Sequence, residues 1–203
     1  MAYPALQNSK PFHTQGSLSP LNQKKADPRT NALKKIMIRL CKQSDFAAMY
    51  TIINSAALAY KGTIPADRWK EPYMPEDELA EEIGAGVVFW CWEENGSIHG
   101  VMGIQDVMDV TLIRHAYTHP TYQRMGVGSR LLKHLASRTK RPLLMGTWAD
   151  AEWAIRFYEK HGFTLVAEEA KNFLLRKYWR IHDRQVETSV VLSNTPVQRL
   201  VMK

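Results

Sequence analysis

Cysteine is scarce in this chain of 203 residues: there are two, Cys41 and Cys91. Their spacing suits neither a disulfide framework nor a cysteine-based metal site, so no metal is expected. Long apolar runs are missing as well. The longest, around residues 87–92, is far too short to cross a bilayer, and no membrane partner is expected. Residues 1–10 lack the charged flank and apolar stretch of a secretory signal, which together with the few cysteines points to a reducing cytoplasm. Acid does not dominate either, since the net charge is +7. Most of that excess sits at one end. Residues 1–36 hold six basic residues against one acidic, leaving 21 basic and 19 acidic for the remainder. A nucleic-acid-binding fold concentrates its charge on a folded face, so no nucleic-acid partner is expected.

What is present suits one ordinary domain. Hydrophobic residues make up 45% and charged residues 23%, enough to fill a core under a polar surface. Residues 1–33, rich in Pro, Ser, Asn, Gln and Lys, read as a disordered basic N-terminal arm, and 34–203 as the folded domain. Alternation predicts a strand at Ile36–Leu40. Ser44 or Asp45 can cap the helix that follows, in which Phe46, Met49, Tyr50, Ile53, Ala57 and Tyr60 form a buried stripe. A loop over 61–74 leads to a second helix opened by Pro75-Glu76-Asp77-Glu78 and closed at Gly84. Strands at 87–93 and 97–105 flank Asn95-Gly96, a strong hairpin signal. Next come a strand at 111–118, a helix at 128–139, a strand at 141–147 and a helix at 150–161 capped by Asp150. A strand at 163–166, a helix at 168–179 and a strand at 185–192 complete the chain. Hairpins first and strand–helix–strand crossovers later predict an α/β domain with a mixed parallel and antiparallel sheet flanked by helices.

One segment carries chemistry. After the strand at 111–118, His119-Pro120 stops the chain, and Gln123-Arg124-Met125-Gly126-Val127-Gly128-Ser129 runs straight into an amphipathic helix. Amides at a helix N-terminus are free and the dipole favours an anion there. Gly126 and Gly128 remove side chains that would keep a phosphate away, and Arg124 and Arg130 add positive charge. A P-loop would need Lys-Ser/Thr after its last glycine, and a dinucleotide fingerprint a third glycine where Leu131 stands. Neither fits.

The pattern Gln123-x-x-Gly126-x-Gly128 resembles the signature of the GNAT superfamily of N-acetyltransferases. A second stretch, Ala154-Ile155-Arg156-Phe157-Tyr158-Glu159-Lys160-His161-Gly162-Phe163, resembles the family's downstream motif in order and separation. The resemblance implies a GNAT-like acyl-CoA N-acyltransferase fold and acetyl-CoA as the acyl-donor substrate. It also implies that backbone groups of Ala116, Tyr117 and Thr118 pair with the pantetheine arm, with Gln123 and the amides of Arg124, Met125, Gly126, Val127, Gly128 and Ser129 at the pyrophosphate. Tyr158 would protonate the leaving thiolate. Ala151 replaces an asparagine usual in the family, so one cofactor contact is missing, and Trp148 is bulky for the mouth of the site. The alternative is a non-catalytic acyl-CoA-binding sensor or interaction module.

For the proton of the attacking amine, His115 is the first candidate base, because a strand covered on both faces has little reason to hold Arg114 and His115 in its middle. Adjacent strand residues point to opposite faces, so at most one enters a given cavity. Glu187 is the alternative base, with Asp106 and Asp109 weaker turn residues. The acceptor is a small-molecule amine or a peptide. Trp69, Tyr73 and Trp148 are its candidate contacts, joined by Lys70, Tyr178 and Trp179, with Asp67 or Glu71 available for its charge. A monomer or homodimer is expected.

Overall fold

The computed structural model describes residues 35–179 and 181–201, so the arm expected over 1–33 lies outside the described residues. Asn95 and Gly96 take positive φ, 52° and 84°, the backbone that a two-residue hairpin turn demands. They fold β2 (Val88–Glu94) against β3 (Ser97–Val107), and β1 (Ile36–Leu40) pairs antiparallel on the outer edge of β2. A second turn, with Met108 at φ 52°, returns the chain into β4 (Val110–Thr118). β5 (Leu143–Trp148) lies parallel to β4, followed by β7 (Ser189–Ser193) and β6 (Thr164–Leu165) in antiparallel pairing. The sheet order is β1-β2-β3-β4-β5-β7-β6. This is the mixed sheet expected from the order of elements.

Period-two alternation divides the side chains between two faces. Trp92, Met102, Ile113, Leu143 and Met145 pack under α3 (Val127–Ala136) and α4 (Glu152–Lys160). Phe89, Cys91 and Val101 turn the other way, onto α1 (Phe46–Ala57) and α2 (Glu76–Gly84). Along that same face Leu112, Leu144 and Val191 meet α5 (Glu168–Tyr178). Two shorter helices, α6 (Asp183–Thr188) and α7 (Gln198–Val201), flank β7.

Three local expectations are corrected. The strand expected over 185–192 begins only at Ser189, because its partner β5 ends at Trp148, which pairs with Ser189; residues 183–188 coil into α6 with Val186 buried. Asp150 does not cap α4, whose N-cap position is Ala151. Asp45 precedes α1 without a side-chain cap bond. Its carboxylate instead accepts from the Lys42 amide at 2.6 Å and from the Arg39 guanidinium at 2.6 and 3.2 Å, while Arg39 also donates to Glu93 at 2.6 Å. Asp45 is held well below the usual carboxylate range chiefly by Arg39. A buried charge is kept only where it is paired, and here it ties β1 to the start of α1.

Gly100 governs how closely α3 approaches β3. A Cβ there would lie 2.5 Å from Cγ1 of Val127, the first residue of α3. Gly100→Ala is therefore expected to lower stability by about 1–3 kcal/mol, the usual cost of overpacking, as measured by urea unfolding. An unchanged unfolding midpoint would contradict this close approach.

Candidate active site

The site begins with a fault in the sheet. β4 and β5 are in register only over Thr111–Ile113 with Leu143–Met145, although β4 runs on to Thr118 and β5 to Trp148. Between the pairs Gly103–Arg114 and Val101–Tyr117, β4 carries one residue more than β3, and His115 takes φ 48°. An extra residue bends a strand and ends its pairing on one side. β4 and β5 therefore part, and a cavity of about 910 Å³ opens between Ala116–Thr118 on one side and Gly146–Trp148 on the other.

The bulge overturns the expectation that Arg114 and His115 face opposite sides. Both reach Glu82 of α2: the guanidinium donates to the two carboxylate oxygens at 2.6 and 2.7 Å, and His115 Nε2 lies 3.4 Å away. The imidazole stacks on Phe89, with ring centroids 5.7 Å apart, and Arg114 also donates to Gln105 at 2.8 Å. Burial works to raise the Glu82 carboxyl, but His115 and Arg114 outweigh it and hold it below the usual range.

At the other end of the cavity β4 gives way to a short 3-10 turn at Pro120–Tyr122 and then α3. Arg124 and Gly126 take φ 62° and 81°. The first α-helical bond runs from the Arg130 amide to the Gly126 carbonyl at 3.1 Å, so the amides ahead of it, from Arg124 to Ser129, lie outside the helical ladder. A Cβ on Gly126 would meet nothing closer than Arg130 Nε at 4.0 Å, so the space over it is open. Consecutive free N–H groups at a helix start form a concavity for an anion. Gln123, Arg124, Gly126, Val127, Gly128 and Ser129 all line the cavity, whereas Met125 does not and is exposed.

Between these ends the walls are aromatic. Tyr158 of α4 is buried and faces the cavity, wedged edge-on against Phe157 at 5.0 Å and Phe163 at 5.5 Å. Burial, and secondarily the neighbouring Tyr60, push its phenol far above the ordinary range. Tyr60 lies in the 3-10 turn that follows α1, 5.1 Å from Trp153 and 6.4 Å from Tyr117. Its phenol is pushed up to about 12 by burial and by Tyr73, against hydrogen bonds with Thr147 and Trp153. Tyr117, enclosed by Tyr73 and Tyr60, is driven up mainly by burial.

Of the expected acceptor contacts, Tyr73, Trp148 and Trp179 line the cavity. Trp69 does not; it stands behind Tyr73, with ring centroids 5.8 Å apart, and its Nε1 donates to Glu71 at 3.0 Å. Tyr178 donates to Asp109 at 2.7 Å within the core under α5. Asp106 pairs with Thr111 at 2.6 Å. Glu187 sits on α6 rather than on the last strand; it is 66% exposed, 3.7 Å from Arg184 and not part of the cavity wall. Asp67 and Glu71 are held by Arg184 at 3.5 Å and Lys61 at 2.6 Å and do not line the cavity; nor does Lys70, which pairs with Glu78. Tyr60, Thr147, Trp153, Phe157, Gln185 and Ser189 are wall residues that the sequence did not single out as such. Tyr60 ends the buried stripe of α1, and nothing in a stripe distinguishes core from cavity. Away from the cavity wall, Cys41, Cys91 and Asp45 place potential metal-ligand atoms within 4.8 Å of one another, but Arg39 and the Lys42 amide already take the carboxylate.

Residues 85–165 match the model of the acetyltransferase (GNAT) domain. The peptidyl-lysine N-acetyltransferase YiaC of Escherichia coli (strain K12) is 24% identical, over 64% of this chain and 84% of its own length. The L-amino acid N-acyltransferase MnaT of the same strain is 26% identical, over 64% of this chain and 81% of its own. The PaiA N-acetyltransferase of Thermoplasma acidophilum, solved in complex with coenzyme A, shares the fold with a TM-score of 0.60 at 15% identity, covering 80% of this chain and 99% of that one.

The pairing of Glu82 with the bulge has a pH signature. A carboxyl whose folded pKa is depressed contributes stability above its unfolded pKa of about 4.3 and loses it as pH falls through the folded value. Glu82→Gln is expected to cost about 1.5–3 kcal/mol at pH 7, the range for hydrogen bonds to charged groups, and the deficit should shrink towards pH 3. Urea unfolding of both proteins across that range checks it. A deficit that stays constant with pH would contradict the pairing.

Proposed function

We propose that this chain, whose residues 85–165 match the GNAT acetyltransferase domain, is an N-acetyltransferase that moves an acetyl group from acetyl-CoA to a primary amine by direct attack in a ternary complex. The observation that carries this reading is the run of amides at Arg124–Ser129 outside the helical ladder, opening on the same cavity as the enclosed phenol of Tyr158. The pyrophosphate of acetyl-CoA suits those amides, with Arg124 beside them for charge. The pantetheine arm would then lie along Ala116–Thr118, where β5 has left the edge of β4 without a partner strand. That path leads the thioester towards Tyr158.

The amine nitrogen attacks the acetyl carbonyl carbon, and the developing oxyanion takes a hydrogen bond from a backbone N–H of β4 near the bulge. As the C–S bond breaks, the sulfur receives a proton from Tyr158, and the proton lost by the amine passes to water, from which the phenolate is reprotonated. Burial keeps that phenol in its protonated form before the transfer. Support for an amine acceptor comes from the relatives: one is named for peptidyl-lysine and the other for L-amino acids. His115 is bound up with Glu82 and Phe89, which argues for water as the proton's first acceptor.

Two variants test this reading. Gly126→Glu puts a carboxylate into the anion cradle and a side chain on a φ of 81°, and calorimetry should find CoA binding abolished while a melting curve confirms folding. Binding at the original affinity would refute the cradle. Tyr158→Phe should lower turnover by about 10²-fold while CoA affinity stays the same. Full turnover in that variant would remove Tyr158 from the mechanism.

A further inference from the structure

The cavity wall has a charge character that the fold does not require. Every Asp and Glu of the chain except Asp27 falls among the described residues, and none of them lines the cavity. Several carboxylates from elements that contribute to the wall or lie next to it in sequence are engaged elsewhere: Glu82 by Arg114 and His115, Asp67 and Glu187 by Arg184, Glu71 by Lys61, Asp183 by Arg176 at 2.9 Å. Among the described wall residues the charged side chains are Arg114, Arg124 and Lys160, all positive, and Arg114 is spent on Glu82. The remaining titratable groups facing the cavity are His115, turned to Glu82, and the phenols of Tyr60, Tyr73, Tyr117, Tyr122 and Tyr158. The wall also carries Tyr60, Trp148, Trp153 and Trp179, with Gln185 and Ser189 as neutral polar groups.

An ammonium entering such a space loses its water and gains no counter-ion, so burial drives it towards the neutral form. A weakly basic amine meets this demand cheaply. An α-amino group titrates at about 7.7–8.0, so roughly a third is neutral at pH 7.5; a lysine-type amine at about 10.4 is neutral in roughly one molecule per thousand. A second ammonium on the same acceptor would be buried among aromatic rings with no carboxylate on the wall to offset it. Resting on the acetyltransferase reading, we propose that the acceptor is a weakly basic monoamine flanked by an aromatic or apolar group, the α-amine of an uncharged aminoacyl compound. Polyamines and aminoglycoside-like polycations, whose further ammonium groups would find no carboxylate on that wall, fall outside this class.

The test compares three amines with acetyl-CoA by thiol release from pH 6.5 to 9.5. L-Phenylalaninamide is the expected class, 3-phenylpropylamine carries the same ring on a strongly basic amine, and spermidine is the polycation. At pH 7.5 phenylalaninamide should exceed phenylpropylamine in kcat/KM by about 10²-fold, following their neutral fractions. That gap should close as pH rises, and spermidine should stay at background. Gln185→Glu, nearly isosteric, brings a carboxylate to the wall and should raise the spermidine-to-phenylalaninamide ratio at least tenfold. Spermidine or phenylpropylamine used as well as phenylalaninamide at pH 7.5 would overturn the inference. So would an unshifted ratio in the variant, or no turnover of any of the three by a protein that binds acetyl-CoA. Failure to bind acetyl-CoA in calorimetry is a different result, and would sink the acetyltransferase reading itself.

Discussion

The one-residue bulge at His115 is the constraint on which the site depends. A non-glycine residue at φ 48° is held only where its surroundings over-determine it, and here they do. Phe89 stacks on the ring, and Glu82 gathers both Arg114 and His115. Without the extra residue, β4 and β5 would stay paired to their ends and the cavity between Ala116–Thr118 and Gly146–Trp148 would close. One face of the sheet thus supplies the anchoring charges, and the opening they maintain lies in the sheet itself.

A second constraint places the anion cradle at the end of that opening. The approach of Val127 to Gly100 seats the first turn of α3 directly against β3, beside the cavity that Gly126 and Gly128 line. The cradle and the phenol of Tyr158 then belong to the two helices, α3 and α4, that cover the same face of the sheet. In the proposed reaction donor and acceptor share that single space. The aromatic part of its wall is built by residues from distant parts of the chain, Tyr60, Tyr73, Trp148 and Trp179.

Much of this was legible in the sequence, for physical reasons that can be named. Asn95-Gly96 fixed a hairpin because few residues tolerate two positive φ values in succession. Gly126 and Gly128 before an amphipathic run marked the start of α3, which opens with Gly126 at a left-handed φ of 81°. What was not legible depends on pairing. The bulge leaves no mark in the residues of β4, so Arg114 and His115 read as opposite-facing. Residues 185–188 alternate well enough for a strand, but β5 is too short to offer them a partner and they coil into α6, taking Glu187 away from the cavity. Tyr60 belongs to a helical stripe whose last member happens to look into space, and Asp67 and Glu71 were free in the sequence but have basic partners in the fold.

The central claim is that the amides of Arg124–Ser129 and the free edge of β4 receive a CoA thioester. Hydrogen–deuterium exchange of the folded protein, with and without CoA, addresses those groups directly. The account predicts fast exchange at 124–129 in the free protein, strong slowing there and at Ala116–Thr118 on addition of CoA, and little change on α5. Protection that appears elsewhere while 124–129 exchanges as before would contradict it.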